Sequence, residues 1–177
     1  MRKRTGLILA LALVGAFALT AMASYGVAGG PKGNLKSKRM SGYLEVPSVS
    51  TGGRGTIEAR IRNGSRIDYK LTYSGLSSTA SQAHIHFAQP SVNGGVAAFL
   101  CGGGGKPACP ATGGSVSGTI VAADVLTVTG QGIAAGEFAE LAAAMKAGFT
   151  YANVHTATFA GGELRGQISP SGSGDDD

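Results

Sequence analysis

Strict alternation of apolar and polar residues constrains this chain more than any other feature. In GTIEARIRN, Ile57, Ala59 and Ile61 fall on one side while Thr56, Glu58, Arg60 and Arg62 fall on the other. SRIDYKLTYS repeats the period, with Ile67, Tyr69, Leu71 and Tyr73 as the inward set. A period of two sends successive side chains to opposite faces of a strand, so both segments read as half-buried strands. The residues between them fix the register. Asn63-Gly64 favours a two-residue hairpin turn, yet that pairing sets Ile61 against Arg66 and puts the two apolar sets on opposite faces, because a slip of one residue flips every side chain. A three-residue loop, Asn63-Gly64-Ser65, or a bulge restores Ile61 opposite Ile67.

Further strands are predicted over 39–46, 83–88, 96–100, 115–122, 149–156 and 163–169. Thirty glycines, with doublets at 52-53, 94-95, 113-114 and 161-162, punctuate them. Short strands at this spacing predict an all-β domain, an antiparallel β-sandwich or a barrel-like Greek-key fold. GEFAELAAAMKAG breaks the period. Phe138, Leu141, Ala142 and Met145 share a helical stripe, Glu137 comes early, Lys146 late, and Gly148 sits at the stop, which predicts one short α-helix over about 136–147.

The ends of the chain carry a different message. Arg2, Lys3 and Arg4 precede an uncharged apolar run and then Ala21-Met22-Ala23, the pattern of a secretory signal over 1–23 with cleavage after Ala23. The apolar core of that run is shorter than the roughly 20 residues a spanning helix needs. A secreted or extracytoplasmic protein with no membrane span after cleavage is therefore expected. Without those three cations, twelve of the fifteen Lys and Arg remain against ten acids, and the net charge drops from +5 to +2. What stays basic lies in a flexible spacer over 24–38, at Lys32, Lys36 and Lys38, with Arg39 at its border. The domain follows over 39–169, and a disordered acidic tail over 170–177. Basic residues interleaved with stacking aromatics are missing and Trp is absent, so nucleic acid is not an expected partner. An extracellular or cell-envelope component is.

Cys101 and Cys109 are the two cysteines, and they bracket GGGGKPA. In an oxidising compartment they are expected to form a disulfide. Their spacing is too wide for a zinc knuckle. Lys106 is followed by Pro107, where a phosphate-binding loop needs Ser or Thr.

Two of the three histidines stand two residues apart in AHIHF. On a strand His84 and His86 share a face, about 7 Å apart along the chain. The third, His155 in YANVHT, shares a face with Tyr151 and Asn153. If the two strands are neighbours, three imidazoles converge, a ligand set that suits one copper or zinc ion. Glu163 or a tyrosine could supply a fourth contact. Other chemistry is poorly served. Most of Glu45, Glu58, Asp68, Asp124, Glu137, Glu140 and Glu163 alternate with apolar residues or sit on the helix, as on a solvated face, and no G-x-S-x-G elbow is present. GQGIAAGE lacks the β-α-β context of a dinucleotide site.

AHIHF, GGVAAFLC, the helical GEFAELAAAMKAG, TYANVHT and GGELRGQI follow one another in an order that resembles the chordin-type domain family known as CHRD, in its secreted bacterial single-domain form. The resemblance spans roughly 40–169 and implies an all-β domain with histidines at the places of His84, His86 and His155. Animal members repeat the domain within extracellular growth-factor antagonists. The cysteine-rich modules of those antagonists are missing here, so that activity is not implied. Phe87-Ala88 also replaces the Gly-Pro that commonly follows the second histidine. HIH is similar to the copper-binding strand of copper-zinc superoxide dismutases, but those enzymes need six histidines and an aspartate, which three histidines exclude. In GGELRGQI, Glu163, Arg165 and Gln167 share one face and read as an exposed strand. Alternatively, Glu163 or Arg165 orients His155 across the 157–162 loop. The functional expectation is an extracellular binding or structural module, without a catalytic residue set, holding one three-histidine metal site. The alternative is a copper- or zinc-dependent metalloenzyme acting on small oxygen species.

Overall fold

The computed structural model describes residues 33–37 and 39–171. The signal expected over 1–23, residues 24–32 and Lys38 of the spacer, and 172–177 of the tail lie outside them. Among the described residues nine strands appear: β1 (Asn34–Lys36), β2 (Met40–Ser41), β3 (Arg54–Arg62), β4 (Arg66–Ser74), β5 (Ala80–Phe87), β6 (Gly95–Cys101), β7 (Gly114–Ile120), β8 (Thr150–Thr156) and β9 (Leu164–Pro170). One helix, α1 (Phe138–Lys146), lies between β7 and β8.

The alternating segments form the hairpin β3–β4, in which Ile61 faces Ile67 and Arg62 faces Arg66. Asn63-Gly64-Ser65 is the three-residue loop that the apolar register requires. Asn63 and Gly64 take it through left-handed backbone at φ 49° and 67°, a region open to Gly and tolerated by Asn. The inward set Ile57, Ile67 and Leu71 is fully buried. Each such side chain contributes about 1.5–3 kcal/mol.

All pairings are antiparallel, and the strands run β6-β5-β8-β9-β1-β3-β4-β7 in a single sheet, with β2 pairing β3 and β9 beside this path. Its two ends come together. The Tyr69 hydroxyl of β4 donates to the Leu100 carbonyl of β6 at 2.6 Å, and β6 touches β7. Of the sandwich and barrel-like alternatives, a curled single sheet around one core is what forms. The Cys101–Cys109 disulfide closes the loop after β6. Within that loop Lys106 pairs with Asp124 at 2.8 Å and donates to the Thr119 carbonyl on β7, tying the two ends further.

Helix α1 buries Phe138, Leu141, Ala142 and Met145, the stripe read from sequence, and packs on β9. Gly148, at φ 79°, ends it, with its amide donating to the Met145 carbonyl. No helix among the described residues is long and apolar enough to cross a membrane.

Two segments differ from expectation. Asn34–Lys36, read as spacer, is instead strand β1, wedged between β3 and β9. Leu35 is the one large apolar residue of GNLKSKR, and it is buried in the core. Ser37 secures the graft, its hydroxyl accepting from the Ile57 amide and its amide donating to the Ile57 carbonyl. The strand expected over 39–46 shortens to Met40–Ser41, because the chain turns into a 3-10 segment at Gly42–Leu44. The Gly42 carbonyl there accepts from both Glu45 and Val49 amides.

Candidate metal centre

Strands β5 and β8 are neighbours, with His84 opposite Asn153, His86 opposite Tyr151 and Gln82 opposite His155. Directly paired residues of antiparallel strands project to the same face. His84, His86 and His155 therefore stand together, and the opposite face sends Ala83, Ile85, Ala152 and Val154 into the core. One ring nitrogen from each histidine lies within 4.8 Å of the other two. The His84–His155 ring centroids are 4.9 Å apart, and the His84–His86 centroids 5.6 Å.

This face is covered although it is not the core. His84 is 5% exposed and His86 8%. The cover comes from loop 88–94, whose Gly94 carbonyl meets His86 Nδ1 at 3.0 Å and whose Gly94 amide donates to the Tyr151 hydroxyl. Phe99 of β6 sets its ring edge-on to His84, with centroids 4.6 Å apart. Tyr151 stacks on His86 at 4.7 Å and 7°, and the Arg165 guanidinium lies 3.5 Å from the Tyr151 centroid. Arg165 is itself buried, donating to Asn93 Oδ1 and to the Gln89 and Val92 carbonyls of the same loop.

The hydrogen bonds determine the tautomers. A carbonyl only accepts, so His86 Nδ1, facing Gly94, and His155 Nδ1, 3.0 Å from the Ala160 carbonyl, each carry the proton. That leaves His155 Nε2 as a lone pair. His84 Nδ1, 3.1 Å away, donates to it. His84 Nε2 and His86 Nε2 then present lone pairs, and both atoms are buried without a partner. Backbone carbonyls orienting the far nitrogen of a histidine are the usual support for metal-ligating imidazoles. Burial, aided by His155 and His86, pushes the pKa of His84 down to about 3. Burial pushes His86 down to about 4 against the Gly94 hydrogen bond, which raises it, with His155 and Arg165 adding to the depression. His155 is also lowered by burial. The three rings are neutral at neutral pH, the state that binds metal.

Glu163 stands apart from the trio. It is fully buried, and its oxygens accept from the Thr51 hydroxyl, the Ser77 amide and hydroxyl and the Thr156 hydroxyl at 2.7–2.8 Å. These donors hold its carboxyl below the usual range against the effect of burial. Its place is structural, and the carbonyl of Ala160, not Glu163 or Arg165, orients His155. The exposed-strand reading of GGELRGQI is corrected, since Glu163 and Arg165 are both buried.

Glu45 is also corrected. Read as a solvated carboxylate, it is 8% exposed and accepts from Asn153 Nδ2 at 2.6 Å. Burial raises its pKa to about 7 despite Asn153 and Arg165, which favour the charged form. YLEVP carries no sequence signal for this, because the groups that enclose Glu45 come from β8 and β9.

No curated protein and no solved structure matches the chain significantly. The CHRD domain model does match, over residues 37–168. That span contains the curled sheet apart from β1 and the end of β9, together with the disulfide loop and all three histidines, and this chain belongs to the CHRD domain family.

Proposed function

We propose that this chain is an exported CHRD-domain protein, cleaved after Ala23, that serves as an extracellular binding or structural module and holds one copper or zinc ion through His84, His86 and His155. The observation that carries the metal reading is the pair of buried, unpartnered lone pairs at His84 Nε2 and His86 Nε2, beside a third imidazole. A buried polar atom without a partner costs about 1–3 kcal/mol, and a bound ion removes this penalty at both nitrogens at once. The carbonyl-fixed tautomers of His86 and His155 add a second line of support. A disulfide and a family of extracellular domains support export. The site has two or three nitrogen donors and no bound carboxylate, so the protein's contribution is to orient neutral imidazoles and exclude water around them.

Element analysis of the purified protein after copper and zinc loading tests this. The expected result is one ion per chain, lost in a His84→Ala, His86→Ala double variant that keeps its disulfide and its circular dichroism. Equal metal content in the two proteins refutes the site.

A further inference from the structure

The kind of ion that suits this site follows from its charge. It rests on the three-histidine site proposed above. The donors are neutral imidazoles: His84 Nε2 and His86 Nε2 offer free lone pairs, and His155 Nε2 joins them when an ion replaces its hydrogen bond from His84 Nδ1. The two buried carboxylates nearest in the fold are engaged elsewhere, Glu163 by Thr51, Ser77 and Thr156 and Glu45 by Asn153. The permanent charge closest to the ligands is positive. Arg165 sits on one face of Tyr151, and His86 stacks on the same ring. The acceptors to which Arg165 donates are an amide oxygen and two carbonyls, none of them an anion.

The cost of placing an ion in such surroundings grows with the square of its charge. In buried surroundings with no bound anion a dication is penalised about fourfold more than a monocation by the Born relation. Repulsion from Arg165 doubles as well on going from one charge to two. Coordination number points the same way. Zinc is almost always four-coordinate and would need an anion or water in addition to three nitrogens. A monovalent d10 ion is satisfied by two or three nitrogen donors. Phe99, set edge-on to His84, and Tyr151, stacked on His86, pack against the ligand rings and offer no charged group to a dication.

We infer that the site selects monovalent copper, Cu(I), over Zn(II) and Cu(II). No electron transfer is part of the proposal, because the ion binds and leaves in the same oxidation state.

Competition titrations on the full chain test it. Cu(I) is held reduced by ascorbate, which spares the Cys101–Cys109 disulfide, and is titrated against a chromophoric Cu(I) chelator. Zn(II) and Cu(II) are titrated against chelators of known affinity, and Ag(I) serves as a redox-silent monovalent probe. The expected result is one Cu(I) or Ag(I) per chain, bound about 100-fold or more tighter than Zn(II), the ordering that a charge-squared penalty imposes. Cu(II) should also bind more weakly than Cu(I). Zn(II) or Cu(II) binding as tightly as Cu(I), with dependence on His84 and His86, overturns the monovalent preference and leaves the metal site standing. Failure of every ion to bind in a His84- and His86-dependent way overturns both.

Discussion

Replacing Glu45 by Gln should stabilise this protein at alkaline pH and leave it nearly unchanged in acid. Gln copies the neutral form of the side chain and keeps an oxygen for Asn153 Nδ2, which now donates to Glu45 Oε1. The folded pKa is raised from 4.5 to about 7, with burial as the main cause. A carboxyl with a raised folded pKa binds protons more tightly in the folded state than in the unfolded chain. Its contribution is therefore fully present below about pH 4.5, declines as pH rises toward about 7, and stays low beyond. At about 1.4 kcal/mol per pH unit, that window corresponds to about 3 kcal/mol. The histidines act in the opposite sense. Their folded pKa values are depressed, so the stability they carry is lost as pH falls below about 6.5. That background is common to both proteins and cancels in the comparison. Urea unfolding of wild type and Glu45→Gln should give a stability difference near zero at about pH 4 and up to about 3 kcal/mol in favour of the variant at about pH 8. A difference that stays flat with pH, or that turns toward the wild type as pH rises, refutes the assignment of a protonatable, burial-strained Glu45.

Glu163 should behave oppositely, since its donors depress its pKa. Glu163→Ala leaves the Thr156 hydroxyl proton without an acceptor in the interior, although its oxygen still accepts from the Phe159 amide, and is expected to cost about 3 kcal/mol in urea unfolding at neutral pH, with Ser77 and Thr51 regaining water. The cost should shrink as the pH falls below about 4.5, where the unfolded carboxyl takes up protons that the folded one resists. A loss under 1 kcal/mol at neutral pH, or one that grows in acid, contradicts the network. Removing the disulfide by Cys101→Ser with Cys109→Ser opens a short loop and should cost about 2.5 kcal/mol by the chain-entropy estimate, read as a shift of the urea midpoint at unchanged slope. A midpoint that does not move would mean that Tyr69, Tyr73 and Lys106 already hold this end of the sheet through their bonds to Leu100, Pro110 and Thr119.

What the sequence disclosed depended on whether both faces of a strand differ in solvent. In β3 and β4 one face is wet and the other dry, so Ile57, Ala59, Ile67 and Leu71 alternate with charge, and the register of Ile61 on Ile67 follows from the pattern and the turn. The helix was equally legible, since Phe138, Leu141, Ala142 and Met145 mark one stripe. In β5, β8 and β9 both faces are covered. His84, His86, Asn153, Glu163 and Arg165 look like a solvated face because polarity in sequence reports what a side chain needs, and those needs can be met by protein as well as by water. Here they are met by residues remote in sequence. Arg165 is satisfied by loop 88–94, Glu163 by Thr51 and Ser77, and Asn153 by Glu45. Period two could state that His84 and His86 share a face, but not that a loop would close over it. Leu35 shows the converse, a lone apolar residue in a basic segment whose partners on β3 and β9 decide that it is a strand. A polar layer assembled this way satisfies nearly every group it buries, and that completeness is what gives the exceptions meaning. The imidazole nitrogens of His84 and His86 are left over, as are the hydroxyls of Ser41 and Thr150, where carboxylate, amide and guanidinium have all found partners; only the two nitrogens stand together beside a third imidazole. A face that only needed to be filled would have been served by apolar residues at lower desolvation cost, so the paired unmet lone pairs of His84 and His86 are the feature on which the proposed cation site rests.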